Sequence, residues 1–264
     1  MTQDTRPLAL VTGASSGIGR ELARLFAHDG HDLVIAADRP LAEVARELEA
    51  MGAAVVALEV DLATIDGVKA VSDAIGSRAV AALAANAGHG LGHAFLDQDL
   101  DAALHVAQTN VIGTTRLAHV VATGMRSRKA GRILFTGSTA GLLPGALAAV
   151  YNASKAYVNS FAEALRYELK DEGVSVTVLM PGPVDTEFMA RANFLDTAGG
   201  QGPKADPADV AKAGYDAMLA GTDHIIPGVA NRVMAAAMSV LPSPAAAAIH
   251  ARMAAPGSGK DGAA

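Results

Sequence analysis

The stretch from Leu8 to Phe26 restricts the fold of this chain more than any other. Leu8-Ala9-Leu10-Val11-Thr12 is a short apolar run that leads straight into Gly13-Ala14-Ser15-Ser16-Gly17-Ile18-Gly19. Ile18, Leu22, Leu25 and Phe26 then fall on one face of a helix. The pattern is strand, glycine turn, helix. Glycines let the backbone turn tightly and approach a pyrophosphate, whose charge is met by amide groups and by the dipole at the helix N-terminus. Gly13, Ser15, Ser16, Gly17, Ile18 and Gly19 are therefore candidate nucleotide contacts. Their spacing, Gly-x3-Gly-x-Gly, departs from the Gly-x-Gly-x-x-Gly fingerprint.

A second buried run, Leu33 to Ala37, ends at Asp38. An acidic residue at the end of the second strand can accept hydrogen bonds from an adenosine ribose and would repel a 2′-phosphate. Asp38 thus favours NAD, while the adjacent Arg39 offers NADP as the alternative. Residues 40–51 read as helix, 54–60 as a third strand closing on Asp61-Leu62, 65–75 as helix, and 80–85 as a strand ending in Asn86-Ala87-Gly88. Small residues there would let a cofactor lie against the carboxyl edge of the sheet.

Leu100, Leu104, Ala107, Val111, Thr115 and Ala118 mark one face of a long helix with Asn110 inside it. Asparagine competes for backbone hydrogen bonds and is a mediocre helix residue, so this placement invites a functional account. Ser138 follows the strand Ile133-Leu134-Phe135-Thr136, where ligands bind in open parallel sheets. After a loop over 140–149, a helix from about residue 150 to 170 carries Tyr151 and Lys155, four apart and hence on one face. A positive charge within about 4–6 Å favours a phenolate and could lower its pKa by ~1–3 units. Val158, Phe161, Leu165 and Leu169 form this helix's core stripe; Ala153, Ala156, Ser160 and Ala164 form a small-residue face that suits an oligomer contact or packing within the subunit. A strand over 174–180 stops at Pro181-Gly182-Pro183-Val184-Asp185-Thr186. Residues 187–207 read as a lid or binding loop. A helix over 209–219, a last strand at 224–227, a helical extension over about 228–253 and a disordered tail at 255–264 complete the expectation, with residues 1–254 as a single domain.

Composition narrows the function. Hydrophobic residues make up 51% but aromatics only 4%, so the core must be built from Ala, Val, Leu and Ile. A net charge of −6 argues against a nucleic-acid partner, which needs a basic surface. With no cysteine there is no disulfide, thiolate metal site or thiol nucleophile. No metal site is expected: His89 and His93 are four apart, but the glycines between them make a poor helix and no third ligand is placed. Residues 1–7 do not resemble a secretory signal, and the apolar stretches fall short of the ~20 residues of a membrane span, so a cytoplasmic location without an integral membrane segment is expected.

Taken together, Thr12 to Gly19, Asp61-Leu62, Asn86-Ala87-Gly88, Asn110, Ser138, Tyr151 with Lys155, and Pro181-Gly182 make the chain similar to the classical short-chain dehydrogenase/reductase family over roughly residues 8–226. The resemblance implies an α/β fold: a single-domain, Rossmann-like, doubly wound parallel sheet with helices on both faces. It implies a catalytic tetrad of Asn110, Ser138, Tyr151 and Lys155. Tyr151 would pass a proton to or from the substrate oxygen, and Ser138 would hold that oxygen. Lys155 would lower the tyrosine pKa and bind the nicotinamide ribose, and Asn110 would hold a water on the proton path. Asp61 and Leu62 would contact adenine. Asn86, Ala87, Gly88, Pro181 and Gly182 would line the cofactor, and Val184 and Thr186 would hold its carboxamide. Moving a phenol from about 10 to about 7 takes roughly 4 kcal/mol. One ammonium near 4 Å supplies about that at an effective dielectric of ~20. The family reaction is hydride transfer between NAD, or alternatively NADP, and a secondary alcohol or ketone. The apolar residues of 142–147 and 188–194 suggest a moderately hydrophobic carbonyl or alcohol substrate, and a homodimer or homotetramer is expected. The alternative from another class is a non-catalytic nucleotide-binding regulator on the same fold.

Overall fold

Strands β1 (Leu8–Thr12), β2 (Asp32–Ala37), β3 (Val55–Glu59), β4 (Val80–Ala85), β5 (Gly131–Thr136), β6 (Val174–Leu179) and β7 (His224–Ile225) form one sheet in a computed structural model that describes residues 6–259. Their order is β3-β2-β1-β4-β5-β6-β7, and neighbouring strands pair parallel throughout. The chain starts mid-sheet, winds out to β3, then crosses back to β4 and winds out the other way. Between β1 and β4 the order reverses, which opens a crevice at the carboxyl ends of the strands.

Between and after the strands run α1 (Gly17–His28), α2 (Ala42–Ala50), α3 (Ile65–Ile75), α4 (Leu100–Ala107), α5 (Thr114–Arg128), α6 (Ala149–Leu169), the short α7 (Phe188–Arg191) and α8 (Ala198–Gln201), α9 (Pro207–Leu219), α10 (Val229–Ser239) and α11 (Ser243–Ala254). Alternate strand residues point to opposite faces. Ala9, Val11, Leu33, Ile35 and Leu134 pack with Leu22 and Phe26 of α1, Leu48 of α2 and Met218 of α9. Leu8, Leu10, Val34, Ile133 and Phe135 pack with Val71 of α3, Leu117 and Val121 of α5 and Val158 of α6. With both faces covered, the strands read as continuous apolar runs rather than alternating ones. Leu22 and Phe26, fully buried, each contribute about 1.5–3 kcal/mol relative to exposure.

The third strand falls within the expected residues 54–60, lying at the sheet edge and only partly buried, with Val56 exposed. Several elements elsewhere depart from the sequence expectation. The long helix around Asn110 is interrupted: residues Gln108–Gly113 form a π turn between α4 and α5. The inward face runs through Ala103, Val106, Asn110, Leu117, Val121 and Met125. Leu100 and Leu104 of the expected stripe are exposed. On α6, Ala153, Ser160 and Ala164 are exposed, so that small-residue face is not consumed by packing within the subunit. The segment 187–207 is built around α7 and α8 and pinned by a bridge between Val184 and Ala205. The expected disordered tail is folded down over its described part. The Gly257 and Gly259 amides donate to Asp196, and the Ser258 hydroxyl accepts from the Ala198 amide. Residues 260–264 lie outside the described residues.

Candidate active site

The carboxyl ends of β1, β4, β5 and β6 surround a cavity of about 550 Å³. Its dinucleotide end is shaped by the glycine turn. Gly13 and Gly17 adopt φ of +65° and +53°, where side-chain-bearing residues are strained. A Cβ on Gly13 would lie 2.9 Å from Ala87 Cα, and one on Gly17 would lie 2.7 Å from Thr186 Cγ2. Gly19 is the one glycine of the motif that does not line the cavity. It packs beneath the turn, where a Cβ would run into the Gly13 carbonyl. Ser15, Ser16, Ile18, Asp38, Arg39, Asp61, Leu62, Asn86, Ala87, Gly88, Pro181, Gly182, Val184 and Thr186 all line the cavity. Asp38 and Arg39 are exposed on its rim, and Arg39 makes no ion pair among the described residues.

Asn86 does more than line the wall. Its side-chain nitrogen donates to Thr12 O at 3.1 Å, its Oδ1 accepts from Thr136 Oγ1 at 3.0 Å, and its amide donates to Thr12 Oγ1 at 3.0 Å. One asparagine thereby ties the ends of β1, β4 and β5, with its side-chain oxygen and nitrogen both partnered inside the protein. Thr136, which completes this tie with Thr12, carries no motif signal in the sequence.

Tyr151, Ser138 and Lys155 meet on the adjoining wall. Ser138 caps a tight turn at Thr139–Leu142: its Oγ accepts from the Ala140 amide at 3.0 Å, and Asn159 brackets its backbone through bonds to Ser138 N and O. Ser138 also hydrogen bonds Tyr151. Lys155 Nζ donates to the Thr136 carbonyl at 2.8 Å. Burial pushes the Tyr151 phenol up to about 12, with the Ser138 hydrogen bond acting in the opposite direction. Burial likewise pushes the Lys155 ammonium down to about 8. The expected lowering of the phenol by Lys155 is thus not what governs Tyr151 among the protein's own groups. Desolvation disfavours both charged forms, and Lys155 is directed toward the end of β5.

Asn110 is 1% exposed and does not line the cavity. Its Nδ2 donates to His89 O and Ser154 Oγ, both at 2.9 Å, and its Oδ1 accepts from His89 N at 3.0 Å. Ser154 Oγ in turn donates to Tyr151 O at 2.7 Å. Both amide hydrogens of the side chain expected to hold a water are therefore committed to protein acceptors. Ser154, which sequence reading passed over, joins Asn110 to the Tyr151 backbone. The His89 ring meets His105, not His93.

The opposite end of the cavity is apolar. Phe188 packs against the Tyr151 ring with centroids 5.1 Å apart, and Leu143, Met189, Phe194, Met234, Met238 and Met253 continue the lining. His250 on α11 donates from Nδ1 to Ala146 O at 2.7 Å, fastening the C-terminal helix to the loop before α6. Met234 and Met238 stand one helical turn apart, a spacing visible in the sequence whose destination was not.

The chain matches the short chain dehydrogenase family over residues 7–194. It belongs to that family. As a short-chain dehydrogenase it is an oxidoreductase. It is 37% identical over 200 residues to the monensin polyketide synthase putative ketoacyl reductase of Streptomyces virginiae, covering 72% of this chain and 76% of the relative. It is 33% identical over 186 residues to the very-long-chain 3-oxoacyl-CoA reductase of Neurospora crassa, covering 67% of this chain but only 56% of that relative's length. Among solved structures, a short-chain dehydrogenase from Sphingobium yanoikuyae in complex with NADPH superposes with a TM-score of 0.79 at 30% identity, covering 89% of this chain and 96% of that one. A relative from Burkholderia phymatum in complex with NAD gives 0.80 at 28% identity, covering 89% and 94%.

Proposed function

We propose that this short-chain dehydrogenase interconverts a secondary alcohol and a ketone, with Tyr151 as the acid/base group and NAD preferred over NADP. The observation that carries this reading is the convergence of Tyr151, Ser138 and Lys155 on the wall next to the glycine turn. The cradle suits a dinucleotide: its floor is backbone that side chains on Gly13 or Gly17 would fill. The dinucleotide, when bound, supplies or accepts the hydride. The protein's own part is to orient the substrate oxygen and move one proton.

Ser138 and Tyr151 would both bond that oxygen. A phenol held near 12 keeps its proton at neutral pH, so it suits donation to an oxygen that gains charge as a carbonyl is reduced. Oxidation of an alcohol needs the phenolate and gains as pH rises. Lys155 would present its charge to the ribose hydroxyls from β5. Asp38 would accept from the adenosine ribose and repel a 2′-phosphate, with Arg39 as its counterweight; relatives solved with NADPH and with NAD leave the choice to these side chains.

The methionine and phenylalanine lining supports a moderately hydrophobic ketone, in keeping with the ketoacyl substrates in relatives' names. Exposed Leu100, Leu104 and Ile112, together with the exposed small residues of α6, support a homo-oligomer. No described helix is long and apolar enough to cross a membrane.

The test is a dinucleotide-resolved activity screen over apolar ketones and alcohols, run on the wild type and on Asp38→Ala. Turnover with NADH that exceeds turnover with NADPH, and a narrower gap in the variant, is the expected result. NADH binding without turnover on any substrate would favour the non-catalytic regulator. Unchanged cofactor preference in Asp38→Ala would remove Asp38 from the argument.

A further inference from the structure

Three titratable side chains outside the tetrad form one hydrogen-bonded row along the cavity wall. Asp61 Oδ2 lies 3.0 Å from His105 Nε2, and His105 Nδ1 lies 2.9 Å from His89 Nε2. The backbone of His89 is fastened at both N and O to the Asn110 side chain. The row therefore runs from the end of β3 through α4 to the loop after β4, and on to the π turn that carries Asn110. Asp61, His89 and His105 all line the cavity.

We propose that His89 and His105 are positioning residues that hold Asp61 and Asn110 in register along the dinucleotide groove, and that a second proton on the pair opens this strap and weakens dinucleotide binding. The proposal rests on the dinucleotide reading above. Its chemistry follows from the contacts. A carboxylate can only accept, so His105 Nε2 carries a hydrogen; in neutral His105 the Nδ1 is then a lone pair, and His89 Nε2–H donates to it. One added proton can be held by exchanging the roles of donor and acceptor across the ring–ring bond. A second leaves two N–H groups facing each other with no acceptor between them.

The charged and titratable groups around the pair are Asp61 after β3, Asp38 after β2, and the two rings themselves. Burial, and next the neighbouring His105, hold His89 below the usual histidine value, against the upward pull of Asp38. Binding is thus at full strength while the pair holds at most one added proton, and falls as pH drops below the usual histidine range and a second is forced on.

NADH fluorescence titrations between pH 5 and 8 on the wild type, His89→Leu and His89→Gln test this. NADH is the probe because the 2′-phosphate of NADPH would itself titrate near pH 6, like other phosphate monoesters of pKa about 6. The wild type is expected to hold one Kd near pH 8 and to weaken several-fold toward pH 5. His89→Leu should bind about tenfold more weakly at pH 8, the scale of one lost hydrogen bond with a partner left unpaired, and should lose the pH dependence. His89→Gln, whose amide reaches where Nε2 stood, should bind as the wild type does at pH 8 and stay flat in acid. A wild-type Kd that does not change from pH 8 to 5, or a His89→Leu titration that matches the wild type, overturns the strap alone. A wild type that binds no NADH overturns the dinucleotide reading and the strap with it. If His89→Leu does not fold, the wild-type profile and His89→Gln still decide.

Discussion

At the β1–α1 end of the cavity the walls are backbone. Gly13 and Gly17 sit at positive φ, and Gly19 rests on the Gly13 carbonyl, so that a single added carbon collides. At the α10–α11 end the walls are side chains, among them Met234, Met238 and Met253, carried on helices that rest on the rest of the fold by one face. The first kind of wall has no freedom to relax, because main chain cannot change rotamer. The second kind can repack, since methionine is unbranched and fills irregular gaps. A fixed ligand and a variable one can therefore share one cavity, each held by the material that suits it.

Tyr151 stands where the two ends meet, and Tyr151→Phe should have the largest effect. Turnover is expected to fall by about 10²–10⁴-fold, the range for losing a general acid/base group, while NADH affinity is retained. A variant with wild-type kcat would detach the chemistry from this junction. Next in size, Gly19→Ala should be destabilised by about 1–3 kcal/mol, the usual cost of overpacking, and should lose NADH affinity along with Tm. A melt and titration indistinguishable from the wild type would mean that the backbone wall can give after all.

Met238→Ala should act on one side only. The KM of an apolar ketone is expected to rise by about tenfold, within the ~1–3 kcal/mol that a small change in a hydrophobic pocket is worth, with NADH binding unchanged. Equal losses for both ligands would erase the contrast between the two walls. The smallest effect is in the pH profile. Lys155, pushed down to about 8, carries its charge below that pH and loses it above. Reductive kcat should be level at lower pH and decline through about 8. A plateau unbroken to pH 10 would indicate a lysine far less desolvated than its surroundings imply.

The legibility of the sequence follows the same division. The glycine turn, Asp38, Asp61 and Asn86 could be read because backbone geometry and strand ends impose residue types at fixed spacings. Tyr151 and Lys155 could be read as a pair, yet among the protein's own groups the phenol shifts up rather than down. Spacing on a helix gives proximity; it does not give burial, and here burial dominates. Asn110 was singled out for its awkward place in a helix, and the π turn is the structural counterpart of that awkwardness. On α4 the buried face runs through Ala103 and Val106 rather than through Leu100 and Leu104, a choice between two apolar faces that periodicity left open.

By itself, then, the sequence determined the order of strands and helices, the strand-end placement of Ser138 and the glycine cradle, since local hydrophobic period and turn chemistry are written residue by residue; the doubly wound sheet followed from the family resemblance that the motifs carry. Only the tertiary structure decided which histidine meets which, that Ser154 joins Asn110 to Tyr151, that Lys155 turns to the Thr136 carbonyl, and that α10 and α11 close the apolar end. Those contacts join residues far apart in the chain. Their existence depends on burial and packing, which no short stretch of sequence contains.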